Sequence, residues 1–185
     1  MPIAGVIFYF SKTPRFIDEN IIWAKLVSLS ILTIVLPILL FFLLKTIGKV
    51  DSIHLETTKE RIIPLILNAA IIVIVTQRIL KINPYVELYY FFIGILISTL
   101  ACLILAFLKF KASIHMIAIS GLFMFFIALS IHFSINVNST LALMCIITGA
   151  VATSRLHLKA HTYPELIMGV VVGLFPQLIL VTNWL

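Results

Sequence analysis

Six long apolar segments constrain the fold of this chain more than any other feature. They run from about Ile21 to Leu44, Ile62 to Leu80, Leu88 to Leu108, Ile114 to Phe133, Ser139 to Thr153 and Leu166 to Leu185. A helix needs about 20 mostly apolar residues to cross a bilayer, where no water is present to satisfy its backbone polar groups. The sequence therefore predicts an all-α membrane protein, a polytopic bundle of six transmembrane helices.

The composition excludes a water-soluble globular domain. Of the 185 residues, 62% are hydrophobic and 11% are charged, whereas about a quarter are charged in ordinary soluble domains. A chain of this length exposes too much surface to hide the excess in a core. Since no repeat or interdomain linker interrupts the sequence, residues 1–185 are predicted to form a single domain.

Three local patterns add detail to this prediction. The first apolar stretch, PIAGVIFYF at residues 2–10, is too short to span and lacks the marks of a signal peptide. We expect it to lie at the membrane interface or to pack on the bundle. Cys102 and Cys145 fall inside apolar segments, which favours buried thiols over a disulfide. The fifth segment contains TGAVATS, and such small residues predict a helix packed tightly among its neighbours.

Six crossings divide the polar connections between two faces of the bundle. The terminal face receives both termini and the connections near residues 77–87 and 134–139, with His132 and Arg78 as expected anchors. The site face receives residues 45–64, 109–113 and 154–165 and most of the histidines. Cations and imidazoles that converge in this way suit a phosphoryl group, whose transfer depends on positioning and charge stabilisation.

The residues at the site face resemble a known set of motifs. SRLHLKAHTYPE, at 154–165, is Ser-Arg, five residues, His, three residues and an acid. It resembles the third motif of the type 2 phosphatidic acid phosphatase superfamily, Ser-Arg-x5-His-x3-Asp. ASIH, at 112–115, resembles the second motif, Pro-Ser-Gly-His, and KERIIP, at 59–64, lies where the first motif is expected. With six spans and a shared face, the resemblance covers nearly the whole chain.

This resemblance implies a metal-independent lipid phosphate or lipid pyrophosphate phosphatase that works through a phosphohistidine and needs no cofactor. His161 would be the nucleophile, Glu165 would orient it, and His115 would protonate the leaving group. The residues that would bind the phosphate are Arg155, Arg61, Ser113, Lys59 and Lys111.

The same resemblance implies a lipid phosphate substrate and a position in the membrane. It places the termini in the cytoplasm and the site on the periplasmic face of a bacterial inner membrane. Counting Lys and Arg alone gives the opposite orientation, but several of those cations are expected phosphate ligands. The formal charge of +6 fits anionic headgroups of membrane lipids. No soluble basic face is present that would hold nucleic acid.

Departures from the family pattern leave a second function open. Glu165 replaces Asp, Ile114 replaces the Gly of the second motif and Ala112 replaces its Pro. In the first motif, His54 stands where Lys is expected. The alternative is a catalytically inactive relative that binds phospholipid headgroups or serves as a membrane assembly protein.

Two further alternatives receive less support from the sequence. His157, His161 and Glu165 recur every four residues, which on one helix would suggest metal ligands. Pro164 disfavours that helix, because proline more naturally begins a new one at this point. A transporter would be indicated by a broken helix with paired charges inside the membrane, and the sequence contains no such pattern.

Overall fold

The computed structural model describes residues 1–48, 57–81 and 83–185. Seven helices lie in these ranges: α1 (Pro2–Lys12), α2 (Glu19–Thr46), α3 (Thr58–Ile79), α4 (Val86–Phe107), α5 (Ile114–His132), α6 (Asn138–His157) and α7 (Tyr163–Val181). The described ranges contain no β-strand, and α2 to α7 are each long and apolar enough to cross a membrane. The predicted all-α bundle with six candidate spans is therefore confirmed.

The outer surface of the bundle is apolar. Many large apolar side chains are exposed, and some of them are more than half exposed, among them Ile104, Phe107, Ile146 and Phe175. Soluble monomers rarely expose apolar patches of more than a few hundred Å². The architecture is thus compatible with an integral membrane protein.

Three of the helices begin at the site face, and each has a side-chain cap there. The Thr57 side chain accepts from the N–H of Glu60 at the start of α3, and Ser113 accepts from the N–H of Met116 at the start of α5. Thr162 and Glu165 form a capping box at the start of α7. Such caps satisfy backbone donors that have no partner within the helix. The N-terminal ends of α3, α5 and α7 therefore point to one surface.

Two glycines bring α5 and α7 into close contact. A Cβ atom on Gly169 would lie 2.8 Å from the carbonyl oxygen of Ser113, and one on Gly173 would overlap the carbonyl of Ile117. The Gly-x-x-x-Gly spacing places both glycines on one face of α7, where the absence of side chains lets the two backbones approach. This contact fixes the start of α7 beside the start of α5.

The prediction that the fifth span packs tightly among its neighbours is wrong. Met144 is the one buried residue of α6, and a Cβ atom on Gly149 would have no neighbour within 4 Å. Small residues allow two helices to approach closely, but they do not determine which helix packs against them. In this bundle α5 presents its own small residues, Ser120 and Gly121, to Gly173 of α7.

The short helix α1 packs against the bundle and does not span it. Its side chains Val6 and Tyr9 are fully buried. Gly5 lies against the ring of Phe91 on α4 and the side chain of Leu122 on α5. The segment was expected either at the membrane interface or packed on the bundle, and the structure shows that it packs on the bundle.

A buried carboxylate holds α1 and the segment after it at the terminal face. Glu87, on α4, is fully buried and accepts a hydrogen bond from the Tyr9 hydroxyl at 2.9 Å. The Arg15 guanidinium pairs with the same carboxylate, and His132 Nε2 lies 3.5 Å from it. A buried charge needs partners of this kind. His132, expected as an anchor, thus faces a specific acid.

We expect Gly173→Val to destabilise the protein by about 1–3 kcal/mol or more, because the new side chain would force α5 and α7 apart. Gly149→Val is the matched control, since it adds the same atoms to an open surface of α6. Unfolding of both variants in detergent micelles would measure the difference. Equal destabilisation of the two would contradict the packing described here.

Candidate functional site

Three hydrogen bonds join the motif segments at the site face. Arg61 Nη1, on α3, donates to the Ala112 carbonyl at 2.9 Å. The backbone N–H of Ser113 donates to the Glu165 carbonyl at 3.2 Å, and Lys111 Nζ donates to the Ala160 carbonyl at 3.3 Å. Each bond crosses between segments that are far apart in sequence. The structure therefore brings the first, second and third motif segments together.

His161 and Glu165 form the pair expected from the sequence. The carboxylate oxygen Oε2 of Glu165 lies 2.9 Å from Nδ1 of His161 and also accepts the backbone N–H of Thr162 at 3.0 Å. Glutamate at this third helical position has the length that a capping box requires. The extra methylene relative to aspartate is thus taken up by the helix start.

The environment of His161 favours a neutral imidazole. Burial lowers the pKa of His161 below its ordinary value, and the positive charges of Arg61 and Lys111 act in the same direction. The hydrogen bond and charge of Glu165 oppose this shift without reversing it. A carboxylate acceptor at Nδ1 selects the tautomer with the proton on Nδ1. Nε2 then carries the lone pair, and it has no hydrogen-bond partner among the described residues.

His115 lies at the same surface. It is exposed in the first turn of α5 and close enough to Arg155, His161 and Arg61 to interact electrostatically with each. The second imidazole therefore belongs to the same electrostatic cluster as His161.

Arg155 supplies a donor that the fold leaves unused. The fifth span was expected to end at Thr153, but α6 continues to His157 and carries Arg155 in its last turn. The Nε atom of Arg155 is buried and has no hydrogen-bond partner among the described residues. Because an unsatisfied buried donor is costly, this guanidinium is suited to an acceptor that arrives with a ligand.

The remaining residues that the sequence suggested for the site lie in different environments. Ser113 is fully buried, where its hydroxyl caps α5. Lys59 is exposed, and among the described residues no hydrogen bond or ion pair joins it to the cluster. His54 lies outside the described residues. The helix that carries His157 ends there, so His157, which is exposed, does not share a helical face with His161.

Sequence reasoning did not identify the groups that hold this cluster in place. The carbonyls of Ala112 and Ala160 accept from two of its cations, and Gly169 allows α7 to approach Ser113. A backbone carbonyl that accepts a hydrogen bond cannot be recognised from the residue type. The Gly-x-x-x-Gly spacing of Gly169 and Gly173, by contrast, is a sequence signal for close helix packing.

Two cavities of the bundle lie away from His161. One lies between α2 and α3, and the other lies at the terminal face beside Arg15 and Tyr85. The cluster around His161 is formed by three helix starts and one helix end.

We expect the two neighbours of His161 to change its pKa in opposite directions. Lys111→Met should raise it, because a nearby positive charge is removed, and Glu165→Gln should lower it further, because the partner of the protonated imidazole is lost. A pH titration of ¹⁵N-histidine signals by NMR would measure both, with His157 as an internal reference. A rise in Glu165→Gln would contradict the electrostatic arrangement.

Comparison of this chain with protein-family models, with curated proteins and with solved structures finds no match.

Proposed function

We propose that this protein is a membrane phosphatase that hydrolyses a lipid phosphate or lipid pyrophosphate through a phosphohistidine, without a metal ion. The observation that carries the proposal is the His161–Glu165 pair, with Nδ1 and Oε2 2.9 Å apart. Arg61 and Lys111 act electrostatically on His161, Arg155 acts on His115, and the N-terminal ends of α3, α5 and α7 lie at the same face. Both side-chain cations and helix N-termini favour an anionic phosphoryl group.

The proposed reaction has two steps. Nε2 of His161 attacks phosphorus, the bond to the ester oxygen breaks, and His115 gives that oxygen a proton. His115, now neutral, takes a proton from water while the water oxygen attacks the phosphohistidine, which releases inorganic phosphate and free His161. Glu165 stabilises the positive charge that develops on the His161 ring in the first step.

The proposed location follows from the family resemblance. The site face would lie at the periplasmic surface of a bacterial inner membrane, with the termini in the cytoplasm. The apolar exterior and the six helices of spanning length support the membrane part of this assignment.

A second candidate function is that of a relative that binds phospholipid headgroups, or assembles with other membrane proteins, without turnover. Two observations favour it. Arg61 and Lys111 already donate to backbone carbonyls, so fewer of their N–H groups are left for phosphate. Ile114 stands between Ser113 and His115, where the family has glycine, and a β-branched residue hinders close backbone approach.

We expect the purified protein to release inorganic phosphate from lipid phosphates in the presence of EDTA, and His161→Ala to lower kcat by about 100-fold or more. His157→Ala is the matched control, because this exposed histidine lies in the same region without joining the cluster. A malachite-green assay on a panel of lipid phosphates and diphosphates would measure both. Equal release by wild type and His161→Ala would refute the phosphohistidine, and ligand binding without any release would support the second candidate.

Two variants of Glu165 distinguish the effect of its charge on activity from the effect of its shape. We expect kcat to fall in the order wild type, Glu165→Asp, Glu165→Gln. Aspartate keeps the charge at a shorter reach, whereas glutamine keeps the shape but no longer stabilises imidazolium. The binding of vanadate, measured as inhibition or by calorimetry, should change little. If Glu165→Gln and Glu165→Asp retained the activity of wild type, the orienting role of this residue would be excluded.

A further inference from the structure

The cavity at the terminal face lies on the opposite face of the bundle from His161 and has no role in the chemistry above. It has a volume of about 450 Å³, within the range of about 300–1,000 Å³ that is typical of small-molecule sites. Its walls come from residues 15–18, which join α1 to α2, from Ile21 on α2 and from residues 84–85 before α4. These walls combine one cation and one anion with apolar and aromatic side chains.

The cation of this cavity is Arg15, and a buried acid fixes its position. Its Nε and Nη2 atoms both donate to Oε1 of Glu87, which is fully buried and also accepts from the Tyr9 hydroxyl. The remaining nitrogen, Nη1, has no hydrogen-bond partner among the described residues. Arg15 therefore has N–H groups left for an acceptor that arrives with a ligand, and charge-assisted bonds of this kind are the strong ones.

The anion of the same cavity is Asp18. Its Oδ1 atom accepts the backbone N–H of Asn20 at 2.8 Å and so caps α2. Its Oδ2 atom has no hydrogen-bond partner in the part of the chain that the structure describes. Arg15 pairs with Glu87, and no ion pair joins these two described residues, Arg15 and Asp18, to each other. A ligand that carries both an anionic and a cationic group matches this pair of side chains.

The surroundings of the cavity indicate the level of lipid headgroups. Phe16 in its wall is fully exposed, and Trp23 near the start of α2 is largely exposed. Exposed aromatic side chains at the end of a span are typical of the interface between bilayer and water. Ile21, also in the wall, is about half exposed, and the exposed apolar surface continues along α2 at Val27 and Ile31. The cavity thus adjoins a surface that suits acyl chains.

We propose that this cavity binds the headgroup of a zwitterionic phospholipid that carries a primary ammonium group. Nη1 of Arg15 donates to a phosphate oxygen of the lipid, and the ammonium group donates to Oδ2 of Asp18. The acyl chains lie along the exposed apolar side of α2. This binding site is separate from the His161 cluster and does not depend on the proposed function.

The two charges in the wall determine which headgroups fit. Phosphatidylethanolamine has a phosphate for Arg15 and N–H donors for Asp18. The quaternary ammonium of phosphatidylcholine has no N–H to donate, and phosphatidylglycerol has no cation. A hydrogen bond to a charged group is strong enough to change a dissociation constant by about tenfold.

The test removes the charge of Asp18 without removing the helix cap. Asparagine caps a helix about as well as aspartate does, so Asp18→Asn keeps the start of α2. Glu19→Gln is the matched control, because it removes an exposed negative charge at the next residue, which is not part of the cavity wall. Native mass spectrometry of the purified protein, titrated with each of the three phospholipids, would measure the Kd values. Thermal unfolding in detergent would show that each variant is folded.

We expect wild type to bind phosphatidylethanolamine about tenfold more tightly than phosphatidylcholine or phosphatidylglycerol. Asp18→Asn should abolish this preference, and Glu19→Gln should retain it. Equal Kd values of wild type for phosphatidylethanolamine and phosphatidylcholine would overturn the proposal, as would a preference that survives in Asp18→Asn or is lost equally in Glu19→Gln. Tighter binding of phosphatidylglycerol would overturn it in favour of an anionic lipid.

Two further measurements locate the lipid and identify its source. His161→Ala should retain the preference for phosphatidylethanolamine, because the cavity lies at the opposite face. Loss of the preference in His161→Ala would place the lipid at the His161 cluster and overturn the proposal. Soluble phosphoethanolamine should bind more weakly than the lipid, since it lacks the acyl chains that lie on α2. Equally tight binding of the soluble compound would overturn the assignment to a lipid.

Discussion

The contact between α5 and α7 is the constraint on which the site depends. Gly169 and Gly173 let the two backbones approach within a distance that no side chain would permit, and van der Waals packing of this kind drives helix association in a bilayer. The close approach allows the N–H of Ser113 to reach the Glu165 carbonyl at 3.2 Å. Two helix starts that are about 50 residues apart in sequence are thereby held in one register.

Hydropathy and the parity of the crossings were enough to predict the positions of the spans and the grouping of the motif segments. Each span must satisfy its own backbone, so its presence is encoded locally. The pairing of His161 with Glu165 was implied by the resemblance of residues 154–165 to the third motif of the type 2 phosphatidic acid phosphatase superfamily. His161 itself lies just before the start of α7, and Glu165 is the third residue of that helix. These parts of the fold depend on short stretches of sequence.

The choice of partners between helices was not predictable in the same way. Gly149 and Gly173 are both small residues in apolar helices, yet one meets open space and the other meets the backbone of α5. Glu87 at the start of α4 resembles an ordinary interfacial charge. Its burial depends on Tyr9 and Arg15, which approach from more than 70 positions away. Such complementarity is a property of the assembled bundle.

The oxygen Oε2 of Glu165 has two partners, the backbone N–H of Thr162 and Nδ1 of His161. The first bond stabilises the opening turn of α7 and the second selects the tautomer of the imidazole. The formation of the first turn of α7 and the orientation of Nε2 of His161 are therefore coupled. A fluctuation that frays the helix start would also release the ring, so the orientation of the imidazole depends on the local order of the backbone.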